Sequence, residues 1–162
     1  MSLSGLLDPL PKPWCNIVPN SIIGSTGGNA PAGCLGEYLS NYGTDSLPSP
    51  LVGYFNFLSI SLTAGDYDVS LTSNWSLDNA VLMLAVGIST DQGSTFNDLV
   101  EGSNNSRIAY NAGARTQDTY TLSVPNVRIS ITSPTNVIAK ITSTFSGTAP
   151  LGSLRLSARR VR

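Results

Sequence analysis

No histidine occurs anywhere in the 162 residues. That absence removes Ser-His-Asp triads, Cys-His pairs and every histidine-bearing metal site. Cysteine is nearly as scarce. Cys15 and Cys34 stand alone, too few for a disulfide framework, so reduced structural thiols are the default and a Cys15–Cys34 bridge stays open. Charge is thin as well: Asp, Glu, Lys and Arg together make up 12%, about half the usual share. The formal net charge of −1 gives no electrostatic pull toward nucleic acid or membrane. No apolar run approaches the roughly 18 residues that span a bilayer, so no membrane insertion is expected. No basic stretch followed by an apolar core marks a signal peptide at the N-terminus.

Ser, Thr, Asn and Gly take the place of the missing charge. That mix suits strands and turns, and it suits exposed helices poorly, since these normally carry Glu, Lys and Arg. The low-charge surface fits two situations equally: coverage by copies or partners, or a merely polar exterior.

Residues 1–35 differ from the rest. Pro9, Pro11, Pro13, Pro19 and Pro31 recur too often for a helix. Yet the segment is not a solvated tail, because Leu6, Leu7, Leu10, Trp14, Ile17 and Val18 are apolar and only Asp8 and Lys12 are charged. The expectation is an extended arm that those six side chains dock onto a partner. The alternative is an N-terminal strand packed on its own domain, which the proline spacing disfavours.

Residues 36–162 read as strand after strand. In Gly53–Leu62, Leu58, Ile60 and Leu62 alternate with Ser59 and Ser61. After a turn at Thr63–Asp66, the residues Tyr67, Val69, Leu71 and Trp75 recur at even spacing on one face, so an antiparallel hairpin is predicted. Val81–Ile88 is a continuous apolar run of strand length, predicted to be buried on both faces. Residues 89–106 read as a long loop or an irregular edge. Strands are then predicted over Asp118–Val124, Val127–Thr132, Asn136–Phe145 and Ser153–Val161, separated by Pro125, Pro134 and Pro150. Short, regularly spaced strands with Pro, Gly and Asn turns predict an all-β antiparallel sandwich or jelly roll.

Few residues suggest chemistry. Asp66 and Asp68 flank Tyr67 and would share a strand face, but an aspartate after Gly65 more often braces a turn. Gly24–Gly28 lacks the lysine and helix of a phosphate loop. No catalytic residue, metal ligand or cofactor site is expected, and the chain is not expected to be an enzyme. Charge placement says more. Arg128, Lys140, Arg155, Arg159, Arg160 and Arg162 lie in a stretch with no acidic residue, the last being Asp118. Arg128, Arg155, Arg159, Arg160 and Arg162 form a candidate basic interface for an acidic partner. The competing and preferred reading pairs them with carboxylates on neighbouring strands or subunits. Nucleic acid is not expected, because the aromatic interleaving of single-strand binders is missing.

Several segments together resemble small virion proteins of tailed phages and prophages that carry a trimeric, tumour-necrosis-factor-like jelly roll. These are Gly36–Leu39, Ser59–Ser70 (SISLTAGDYDVS), Gly87–Thr90, Val124–Ile131, Phe145–Thr148 and Ala158–Arg162 (ARRVR). They occur in order across about residues 36–162. Tyr67 stands where Trp is common in such proteins. The resemblance implies a homotrimer located in the virion, on the capsid surface or the tail. It does not reach residues 1–35; that apolar arm, on a short chain, adds the expectation of a capsid decoration or cement protein whose arm is held by the major capsid protein or tail subunits. The alternative is a tail fibre or knob component that binds host-surface glycans, with residues 89–117 and Tyr110 as the candidate surface.

Overall fold

The computed structural model describes residues 36–49, 53–77, 81–90, 104–109 and 118–161. The arm at 1–35 with its docking residues, both cysteines, Tyr110 and Arg162 lie outside the described residues. Eight strands follow in order: β1 Tyr38–Ser46, β2 Phe55–Leu62, β3 Gly65–Leu77, β4 Val81–Ser89, β5 Asn105–Ala109, β6 Asp118–Ile131, β7 Thr135–Phe145 and β8 Leu151–Arg160.

They form two four-stranded sheets, β1-β8-β3-β6 and β2-β7-β4-β5, and every pairing is antiparallel. This interleaved order is that of a jelly roll, two Greek keys folded over one another. The protein is therefore an all-β antiparallel sandwich, as the sequence predicts.

The period-2 pattern produces the core. In β3 the residues Tyr67, Val69, Leu71, Trp75 and Leu77 are buried, while intervening Thr72 and Asn74 are exposed. Against this row pack Leu154, Leu156 and Ala158 of β8 and, from the second sheet, Ile60, Leu62, Leu84, Val86, Ile88, Val137 and Ile141. Each large side chain removed from water contributes on the order of 1.5–3 kcal/mol. Ser73 also falls on the buried face, and its hydroxyl donates to the Leu122 carbonyl at 3.0 Å, which offsets its loss of hydration. β4 is buried on both faces over Leu84–Ser89, but the start of the apolar run is not, since Leu82 is exposed and Met83 half-buried next to the strand end.

Three expectations need correction. The hairpin between the strands flanking Thr63–Asp66 does not form: β2 pairs with β7, and β3 pairs with β6 and β8. Thr63 and Ala64 cross from one sheet to the other, and Gly65, at φ 152°, supplies the backbone conformation at the corner. Both strands bury their apolar faces in the same core, but from opposite sides. Second, Pro125 does not divide two strands. β6 runs through it, because β6 lies at a sheet edge and the register slips there: Val69 faces Val127 and Leu71 faces Val124, so Ser70 opposes both Pro125 and Asn126. A bulge on an edge strand tolerates the missing N–H donor. Third, the loop expected over 89–106 ends early, since Asn105 opens the edge strand β5.

Candidate functional site

The outer face of the first sheet carries the most organised set of polar side chains. Because the strands pair in register, the outward residues form rows across the sheet. One row is Tyr38, Arg159, Asp68 and Arg128. The next is Ser40, Ser157 and Ser70, closed by the bulge at Asn126. A third is Tyr42, Arg155, Thr72 and Ser123, and a fourth is Thr44, Ser153, Asn74 and Thr121.

Hydrogen bonds knit these rows together. The Tyr38 hydroxyl donates to Ser157 Oγ at 2.9 Å, and Arg155 Nη2 donates to the Tyr38 hydroxyl at 3.4 Å. Thr44 Oγ1 and Ser153 Oγ are hydrogen-bonded at 2.9 Å, and the Tyr42 hydroxyl is hydrogen-bonded to Thr44 Oγ1 at 3.0 Å. Thr121 Oγ1 donates to Asn74 Oδ1 at 2.7 Å. Hydrogen bonding from Ser153 first, then Thr44, holds the Tyr42 hydroxyl below its ordinary pKa, against a smaller effect of desolvation.

Asp68 is gripped by a fork: Arg128 Nε donates to Oδ1 at 2.6 Å and Nη2 to Oδ2 at 3.3 Å. This hydrogen bond is the main reason that the Arg128 guanidinium holds its proton more tightly than usual. One of the two aspartates singled out in the sequence is thus committed to a cross-strand ion pair, in keeping with a bracing role.

A shallow cleft of about 310 Å³ opens within this face, lined by Tyr38, Asp68, Ser70, Asn126, Ser157, Ala158 and Arg159. The Pro125 bulge places Asn126 there beside Ser70. The sequence reading missed Tyr38 and Asn126. The available signal was a Pro-Asn pair inside an alternating strand, which marks a bulge and a re-aimed side chain.

The arginines considered as one basic interface are divided. Arg128, Arg155 and Arg159 are exposed on the outer face. Arg160 has the opposite parity and closes the end of the sandwich. Its Nη1 donates to the Tyr67 hydroxyl at 2.9 Å and to Thr63 Oγ1 at 3.0 Å, its Nη2 donates to the Ala64 carbonyl at 2.6 Å, and its guanidinium lies 5.5 Å from the Tyr67 ring centre. Lys140, on β7, is fully buried.

No protein-family model matches the chain, and no curated protein matches it. Among solved structures, similarity extends to the infectious bursal disease virus Gx strain, at 14% identity and a TM-score of 0.43, covering 75% of this chain and 32% of that one. The infectious bursal disease virus VP2 subviral particle aligns at 15% identity with a TM-score of 0.37, over 78% of this chain and 38% of that one. The Gt strain of the same virus aligns at 15% identity and a TM-score of 0.36, with the same coverage. The chain spans about a third of the length of these proteins. The jelly-roll assignment rests on the strand order itself.

Proposed function

We propose that the protein is a structural subunit of a virus particle, a homotrimeric phage capsid decoration protein held to the shell by residues 1–35. The observation that carries this reading is how the polar groups of the sandwich are used. Asp68, Ser73, Ser143 and Arg160 tie one strand or turn to another, which is what a load-resisting module requires. The jelly roll is a recurrent architecture of viral shells. The resemblance of residues 36–162 to trimeric virion proteins supports the same reading, and the apolar arm supplies a means of attachment.

The test combines two measurements on the full chain and on a chain lacking residues 1–35. Sedimentation equilibrium reports the oligomeric state, and mixing with particles stripped of the protein reports docking. Both chains sediment as trimers and only the full chain binds particles. A monomer, or equal binding by the truncated chain, contradicts the proposal.

A second reading, a tail fibre or knob component that binds host glycans, is favoured by one observation: the cleft lined by Tyr38, Asp68, Asn126 and Arg159.

A further inference from the structure

The chemistry of that cleft can be followed to a ligand class. Arg159 is exposed, and among the described residues its guanidinium makes no ion pair or side-chain hydrogen bond. The adjacent Asp68 does not neutralise it, because the Arg128 fork already occupies that carboxylate. A free guanidinium in a cleft presents paired donors matched to a carboxylate. Around it stand groups that recognise hydroxyls. Ser70 and Ser157 each offer a donor and acceptors, Asn126 offers both, and the remaining lone pairs of Asp68 accept. Tyr38, 40% exposed, contributes an aromatic ring whose apolar surface suits the C–H face of a sugar.

The cleft is also held open in advance. Tyr38 is tethered through its hydroxyl to Ser157 and Arg155, Asp68 is fixed by Arg128, and Asn126 is set by the bulge. Groups already ordered lose little entropy on binding. Three features argue against other ligands. An extended acidic peptide is recognised mainly through backbone bonding at a sheet edge or through side-chain pockets, whereas this cleft sits on a sheet face centred on Ser157, whose strand is paired on both sides with Ser40 and Ser70. A nucleic acid needs a broad basic field, and the net charge is −1. A bare inorganic anion would leave the hydroxyl-binding groups unused.

We propose that this cleft is a binding site for an acidic saccharide, a single sugar ring whose carboxylate pairs with Arg159, whose hydroxyls meet Asp68, Asn126, Ser70 and Ser157, and whose face lies on Tyr38. The proposal deepens the second reading, glycan binding at this cleft, and does not depend on the capsid role of residues 1–35.

Titration of the full chain with four probes tests it: 3′-sialyllactose, tri-galacturonic acid, neutral lactose and penta-glutamate, followed by amide chemical shifts. One of the acidic sugars saturates the protein and shifts the amides of Ser70, Asn126 and Ser157. Arg159→Ala weakens that binding by about tenfold or more. Tyr38→Ala also weakens it, and Arg107→Ala, on the other sheet, leaves it unchanged. Since Arg159 is exposed, its variant unfolds at the wild-type temperature, so lost binding is not lost folding. Binding by neither acidic sugar overturns the proposal. So does equal binding of lactose or penta-glutamate, or full retention of binding in Arg159→Ala.

Discussion

The indole of Trp75 fills the space directly above Gly152, its cross-strand neighbour on β8. A Cβ added at Gly152 would overlap the six-membered ring of Trp75. This pairing allows the largest side chain of the core to lie flat against a strand, with Phe57 meeting it edge-on at 6.0 Å from the opposite sheet.

Gly152→Ala therefore forces Trp75 or β8 to move. Overpacking of this kind costs about 1–3 kcal/mol. Urea denaturation is expected to show a lower midpoint with an unchanged slope, since the fold persists while its packing suffers.

Substitutions at Trp75 separate packing from hydrogen bonding. Its Nε1 is buried and has no acceptor among the described residues. Trp75→Ala opens a cavity and costs roughly 3–5 kcal/mol. Trp75→Phe loses no hydrogen bond and removes an unsatisfied donor, so it is expected to cost clearly less than alanine in the same denaturation assay.

Arg160 acts as a clasp over the corner where the chain changes sheets. Arg160→Ala removes its bonds to Thr63, Ala64 and Tyr67 and is expected to destabilise by about 1–3 kcal/mol. Arg160→Lys recovers little, because an ammonium group lacks the planar fork that spans these acceptors. Hydrogen exchange at the amides of Gly65 and Asp66 should quicken in both variants.

Tyr42 gives a pH signature. Its folded pKa lies below the ordinary 10.0, so the folded state favours the phenolate. The associated stability is fully present above the unfolded value and is lost as pH falls through the folded one. Alkaline titration of the Tyr42 ring signals is expected to give a midpoint below that of a free tyrosine. Ser153→Ala removes the largest cause and should move the midpoint upward.

Much of this fold is legible in the sequence, for identifiable reasons. The alternation around Tyr67, Val69, Leu71 and Trp75 locates β3 and its buried face, and the apolar run of Val81–Ile88 locates β4. Strand β1 is not legible. It is an edge strand in which only Leu39 and Gly43 are even partly buried, so YLSNYGTDS carries almost no hydrophobic period. The partner of β3 is not legible either, because two successive alternating segments read the same whether they pair side by side or face each other across a core. Pro125 misleads because a proline is a strand boundary in a sheet centre but a bulge at an edge. The candidate cleft escapes notice for a related reason. Tyr38 and Asn126 are far apart in sequence, and only the register through β8 and β3 brings them to one place.

The proposed role in a virus particle is tested most directly by quantitative mass spectrometry of purified particles, comparing those made with the full chain and with a chain lacking residues 1–35. The account predicts a fixed stoichiometry in a multiple of three for the full chain, and loss of the protein from particles when the arm is removed. Particles that contain none of the full-length protein would contradict it.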